Sequence, residues 1–95
     1  MSEVTVANAF KSGATLTHAS ARAALAAGLE RIASGAAAVD CASLTQFDSS
    51  ALAVLLAWRR AANARGITLD ILNLPAALAT LAQAYGVDTL LSAQH

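Results

Sequence analysis

Apolar residues recur along this chain with two different periods, and the switch between them outlines the elements. Ala21, Leu25, Leu29 and Ile32 fall at intervals of four, four and three, while Arg22, Glu30 and Arg31 lie off that stripe. This spacing predicts an amphipathic helix that ends near Ser34-Gly35. Thr17 or Ser20 is placed to cap its start, because a short hydroxyl side chain can accept a bond from an unpaired first-turn N–H. Residues 50–65 make the strongest helix, rich in Ala, Leu and Arg and closed by Arg65-Gly66, a basic last turn followed by the residue best suited to a left-handed stop. Asn73-Leu74-Pro75 opens another helix, with Leu74, Leu78, Leu81, Ala82 and Tyr85 as its inner stripe and Gly86 as its end. The apolar stretch VDTLL beyond it can pack as a final turn.

Strand character lies between the helices. Val4-Thr5-Val6 and Ala14-Thr15-Leu16-Thr17 are β-branched runs separated by Lys11-Ser12-Gly13, and they predict one or two N-terminal strands. Ala37–Cys41 is short, apolar and follows a glycine stop, while Ile67–Leu72 is rich in β formers. Strands alternating with helices through short connections predict an α/β fold. Its sheet is expected to be mixed and mostly parallel, with roughly four to five strands, an antiparallel one being allowed at the N-terminus, and three to four helices mainly on one face. In such sheets function gathers at the carboxyl ends of the strands, which is where FDSSALAVLL begins, after the strand that holds Val39.

On a helix turning by about 100° per residue, Ala51, Val54, Leu55, Trp58, Ala61 and Ala62 share the natural core side of residues 50–65. Leu52, Leu56, Arg59, Arg60 and Asn63 share the other side. Two readings of that second side stand together. Either its leucines are boundary positions covered by a neighbouring helix or by arginine stems, or they form a docking patch with Leu52 and Leu56 at its centre and Arg59, Arg60 and Asn63 at its rim. Asp48, Ser49 and Ser50 precede this helix and are fit to cap it, and a hydroxyl left uncapped stays exposed.

Composition narrows the choice of chemistry. The 95 residues suit one domain spanning 1–95, with its core at about 14–91. With 57% hydrophobic and 13% charged residues the chain is far from disordered composition. Six basic residues balance six acidic ones, so the field of a nucleic-acid binder is missing and no nucleic-acid partner is expected. The lone Cys41 has no disulfide partner within the chain. The start has no signal-peptide pattern and no apolar run approaches the roughly 20 residues of a membrane span, which makes the expectation a cytoplasmic protein. His18 and His95 are the two histidines, and neither sits in ligand spacing with Cys41, so no metal or other cofactor is expected. Ser49, His18 and Asp48 could in principle assemble a triad, but no nucleophile elbow, Walker lysine or G-x-G-x-x-G loop is present. No enzymatic activity is expected.

The run from Val39 to Leu91 resembles the STAS domain, the fold of anti-sigma-factor antagonists and of the cytoplasmic tails of sulfate transporters. The family pattern V-D-x-S-x-[LV]-x-x-[VF]-D-[ST]-[SA]-G-L is matched at Val39, Asp40, Ser43 (one place late), Leu44, Phe47, Asp48, Ser49, Ser50 and Leu52. N-L-P-x-A-L-x-x-L-A-x-x-Y-G-V-D-x-L-L, from Asn73 to Leu91, makes it most similar to the MlaB-like branch, the small STAS subunits of phospholipid-transporting ABC complexes that maintain outer-membrane lipid asymmetry. The resemblance implies a non-enzymatic cytoplasmic subunit. Its partner would be the transporter's MlaF-like ATPase, which would place it peripherally at the inner membrane through the permease. By position Ser49 matches the Ser/Thr at the ATPase contact of MlaB-like proteins, and Ser50 the serine phosphorylated in anti-sigma-factor antagonists. The implied alternative is therefore a phosphorylatable antagonist acting on an anti-sigma serine kinase. Ala51 replaces the family's usual glycine, and its methyl is expected to crowd an approaching phosphate.

Overall fold

The computed structural model of the chain describes residues 9–92. The order of elements is β1 (Ala9–Lys11), β2 (Thr15–Leu16), α1 (Ala21–Ala33), β3 (Ala38–Asp40), β4 (Gln46–Phe47), α2 (Ser49–Ala64), β5 (Asp70–Leu72), α3 (Ala76–Ala84) and α4 (Asp88–Ser92). This is an α/β fold, the class that the alternation of elements predicts. Its strands form a three-stranded sheet in the order β1-β3-β5 and a two-stranded sheet of β2 and β4. Every pairing among the described residues is parallel, and the predicted Val4-Thr5-Val6 strand lies outside those residues. The single mixed sheet expected from the pattern is thus divided in two. The segment after β3 supplies a further short strand, β4, whose Gln46 and Phe47 pair with Thr15 and Leu16.

The three longer helices stop in the same way. At the end of α2 the N–H of Ile67 bonds the Ala62 carbonyl at 2.9 Å and that of Gly66 bonds Asn63 at 3.0 Å, with Gly66 in the left-handed region at φ 78°. Only a residue without Cβ takes that conformation cheaply, so Gly66 ends the helix and turns the chain toward β5. The pattern repeats at Gly35 and Gly86. Completing this cap consumes Ile67, so the strand predicted over 67–72 begins only at Asp70. Pro75 sits one place before α3, at the cap, rather than inside its first turn.

The core gathers Leu16, Ile32, Val39, Leu55, Trp58, Leu69 and Leu78, all buried. Helices α1 and α2 pack along each other, with Trp58 of α2 seated against α1. Its indole lies edge-on to Phe10, with centroids 5.1 Å apart and rings at 82°, and its Nε1–H donates to the Leu25 carbonyl at 3.1 Å. A Cβ at Gly28 would lie 2.2 Å from the indole, so the notch in α1 exists only because residue 28 has no side chain. This shifts the α1 stripe. Gly28 and Ile32 are buried, whereas Leu29, expected inside, is exposed. Tyr85 is likewise 60% exposed, because α3 has already ended there. Burial pushes the Cys41 thiol up to about 11, which keeps it protonated and inert.

Candidate functional site

The carboxyl ends of the strands are held together by two aspartates. Asp48 follows β4 and caps α2: its Oδ1 accepts from the Ser50 N–H at 2.8 Å. Its Oδ2 accepts from the His18 N–H, just past β2, at 3.0 Å. One carboxylate therefore fixes the start of α2 and ties the exits of two parallel strands. These donors, His18 first and Ser50 next, hold the Asp48 carboxyl below its ordinary value of 3.8. Asp40, at the end of β3, accepts from the Asn73 side-chain amide at 3.0 Å and from the Ala42 N–H at 2.9 Å. The Asn73 amide contributes most to lowering its pKa, then Ala42, with Lys11 adding charge attraction. Asn73 stands in the left-handed region at φ 58°, so Asp40 also fastens a turn that most side chains avoid.

A carboxyl with a depressed folded pKa stabilises the fold when ionised. That contribution is complete above the unfolded value and lost as pH falls through the folded one. Resistance to urea should be level from neutrality to about pH 5 and decline below the ordinary carboxyl value of 3.8. Asp40→Asn and Asp48→Asn should each make that decline shallower, measured as the urea midpoint against pH. An acid limb as steep in the double variant would show that other groups control it.

Beyond the cap, α2 sorts the predicted docking residues into two sets. Ser49, Arg60 and Asn63 are exposed, and Asp48, Ser50 and Leu56 are half-buried. Leu52 and Arg59, by contrast, are only 3% and 7% exposed. The face expected to carry Leu52 at its centre and Arg59 at its rim is therefore not an outer surface. The chain's own C-terminal helices α3 and α4 pack against α2, and Arg59 Nη1 donates to the Leu91 carbonyl in α4. For Leu52 the boundary reading of the sequence holds, and Arg59, expected at an exposed rim, is buried as well. The exposed stripe lies a fraction of a turn away, along Ser49, Ala53, Arg60 and Asn63, with half-buried Leu56 among them.

Ser20 precedes α1 but does not cap it; its hydroxyl accepts from the Thr17 N–H at 3.0 Å instead. Ala51 is buried with no exposed surface, so its methyl points into the core and does not crowd a group approaching the turn. The expected obstruction to phosphate is absent. His18 reaches Asp48 through its backbone, and that carboxylate is engaged in holding the fold. Between the first turns of α1 and α2 runs a groove of about 280 Å³ lined by Ala21, Arg22, Leu25, Ser50, Ala53 and Val54. Sequence reasoning missed this groove and Gly28, because neither involves a polar motif. The Asp40–Asn73 clip was within reach, since both residues stand in the quoted motifs.

A parallel α/β domain with an aspartate-capped helix at the carboxyl ends of its strands defines the class. Residues 12–92 match the family model described as MlaB, STAS domain, and the chain belongs to that family. No curated protein and no solved structure matches it.

Proposed function

We propose that this chain is the small, non-enzymatic STAS subunit of an ABC transporter for phospholipids, where it binds and supports the transporter's ATPase. One observation carries this reading. Asp48 spends its carboxylate on the chain's own backbone, while Ser49 beside it is exposed at the head of a rigid helix whose opposite side is core. Such a helix offers a preformed surface whose ordering cost is already met by the fold. The MlaB description of the family supports the choice of an ABC ATPase as partner. Among the described residues no helix is long and apolar enough to cross a membrane, so attachment at the inner membrane would come through the complex. The corrected docking set is Asp48, Ser49, Ser50, Leu56, Arg60 and Asn63, with Leu52 and Arg59 supporting from within.

Co-expression with the transporter's ATPase tests this. The ATPase should co-purify with the unaltered chain, and Ser49→Asp or Leu56→Glu should weaken the complex at least tenfold with the fold intact by circular dichroism. Equal recovery with both variants would remove the face. A phosphorylatable antagonist of an anti-sigma kinase is the second reading, favoured by the exposure of Ser49 and the inward methyl of Ala51. It requires phosphate on Ser49 or Ser50 after incubation with such a kinase and ATP.

A further inference from the structure

We infer that the groove between the first turns of α1 and α2 is the socket for an acidic amphipathic helix of the ATPase, with an aliphatic side chain seated in the groove and a carboxylate over Arg22. This inference rests on the docking reading above and names what the partner presents. The groove is lined by Ala21, Leu25, Ala53 and Val54, with Arg22 and Ser50 as its polar members. It is an open groove of about 280 Å³ rather than an enclosed cavity, whereas sites for small molecules bury most of the ligand's surface. It suits a side chain delivered by a protein, and a channel between two packed helices accepts the ridge of a third.

Charge selects the kind of helix. No acidic residue occurs in the first turn of either α1 or α2, and α2 has none along its length, SSALAVLLAWRRAANA. The N-terminus of α1 has no side-chain cap, so its positive dipole end adds to Arg22 at the groove. Arg60 is exposed on the outer stripe of α2. Asp48, just before α2, has its two oxygens each accepting a backbone N–H. A carboxylate-bearing partner meets a positive field here, whereas a basic one is repelled. An anionic bilayer is the weaker fit, because lipid-binding surfaces cluster about four to eight Lys or Arg and the chain has no net charge.

The test measures binding of the purified ATPase subunit to immobilised chain over a range of salt. Arg22→Glu should weaken binding at least tenfold and abolish most of its salt dependence. Ala53→Trp, which fills the groove without altering charge, should weaken it to a similar extent and leave the salt dependence in place. Both positions accept change without loss of fold, checked by unchanged thermal midpoints, because Arg22 and Ala53 are exposed. If the ATPase binds both variants as well as the parent while Ser49→Asp blocks it, the socket is wrong and the docking reading stands. If the ATPase does not bind the parent, the docking reading fails and takes the socket with it. Loss of binding to phosphatidylglycerol vesicles with ATPase binding intact would assign the groove to lipid and overturn the inference.

Discussion

Gly28→Ala should be among the most damaging single substitutions in this protein, although it exchanges a poor helix former for the best one. A methyl at residue 28 would stand 2.2 Å from Cε2 and Nε1 of Trp58, so the indole must leave its place. Leaving it breaks the Nε1–H bond to the Leu25 carbonyl and disturbs the edge-on contact with Phe10. Overpacking of this kind costs about 1–3 kcal/mol and a lost buried hydrogen bond about 1 more, against a gain in helix propensity of about 1. A net loss of about 1–3 kcal/mol is expected, and for a domain of this size that lowers the thermal midpoint by roughly 4–24 °C. The cause is separable by a double-mutant cycle. With Trp58→Leu already present the indole is gone, and adding Gly28→Ala should cost less than about 1 kcal/mol. Equal cost in both backgrounds would refute the steric account.

Arg59 and Arg60 are neighbours with opposite fates, which sets up the second large effect. Arg59 is the one charged side chain buried among the described residues, and it donates to the Leu91 carbonyl. Helix α4 spans five residues, Asp88–Ser92, too few to persist without tertiary support. Arg59→Ala removes the donor and the packing of its stem, leaving a buried carbonyl without that partner. A loss of about 2–3 kcal/mol is expected, together with faster hydrogen exchange at the Leu91 amide. Arg60→Ala, on an exposed position, should change stability by no more than about 0.5 kcal/mol. Matching urea midpoints for the two variants would show that Arg59 does not pin the C-terminal helix.

The pair also shows where a one-dimensional pattern stops being informative. Helical periodicity sets Arg59 and Arg60 about 100° apart, a difference that means nothing until something covers one of them. What covers the Arg59 side is α3 and α4, brought back over α2 by the turn after Gly66 and by β5. Leu52 follows the same logic: it is apolar, off the main core stripe, and buried in the core cluster. Gly28 is subtler, since a glycine inside a helix reads as a weakness until the indole of Trp58, thirty positions later, is set into the notch.

The alternation of helices and strands, the glycine stops and the Asp48 cap were legible in the chain alone, because each depends on backbone conformations and hydrogen bonds made within a few residues; that the strands run parallel followed from the helical crossovers between them. The sequence also determined the family, through polar motifs at the ends of strands. The tertiary structure alone decided the split into two sheets, the inward turn of Ala51, the burial of Leu52 and Arg59, and the groove between α1 and α2. These depend on which surfaces meet, and burial is a property of pairs of elements rather than of either one.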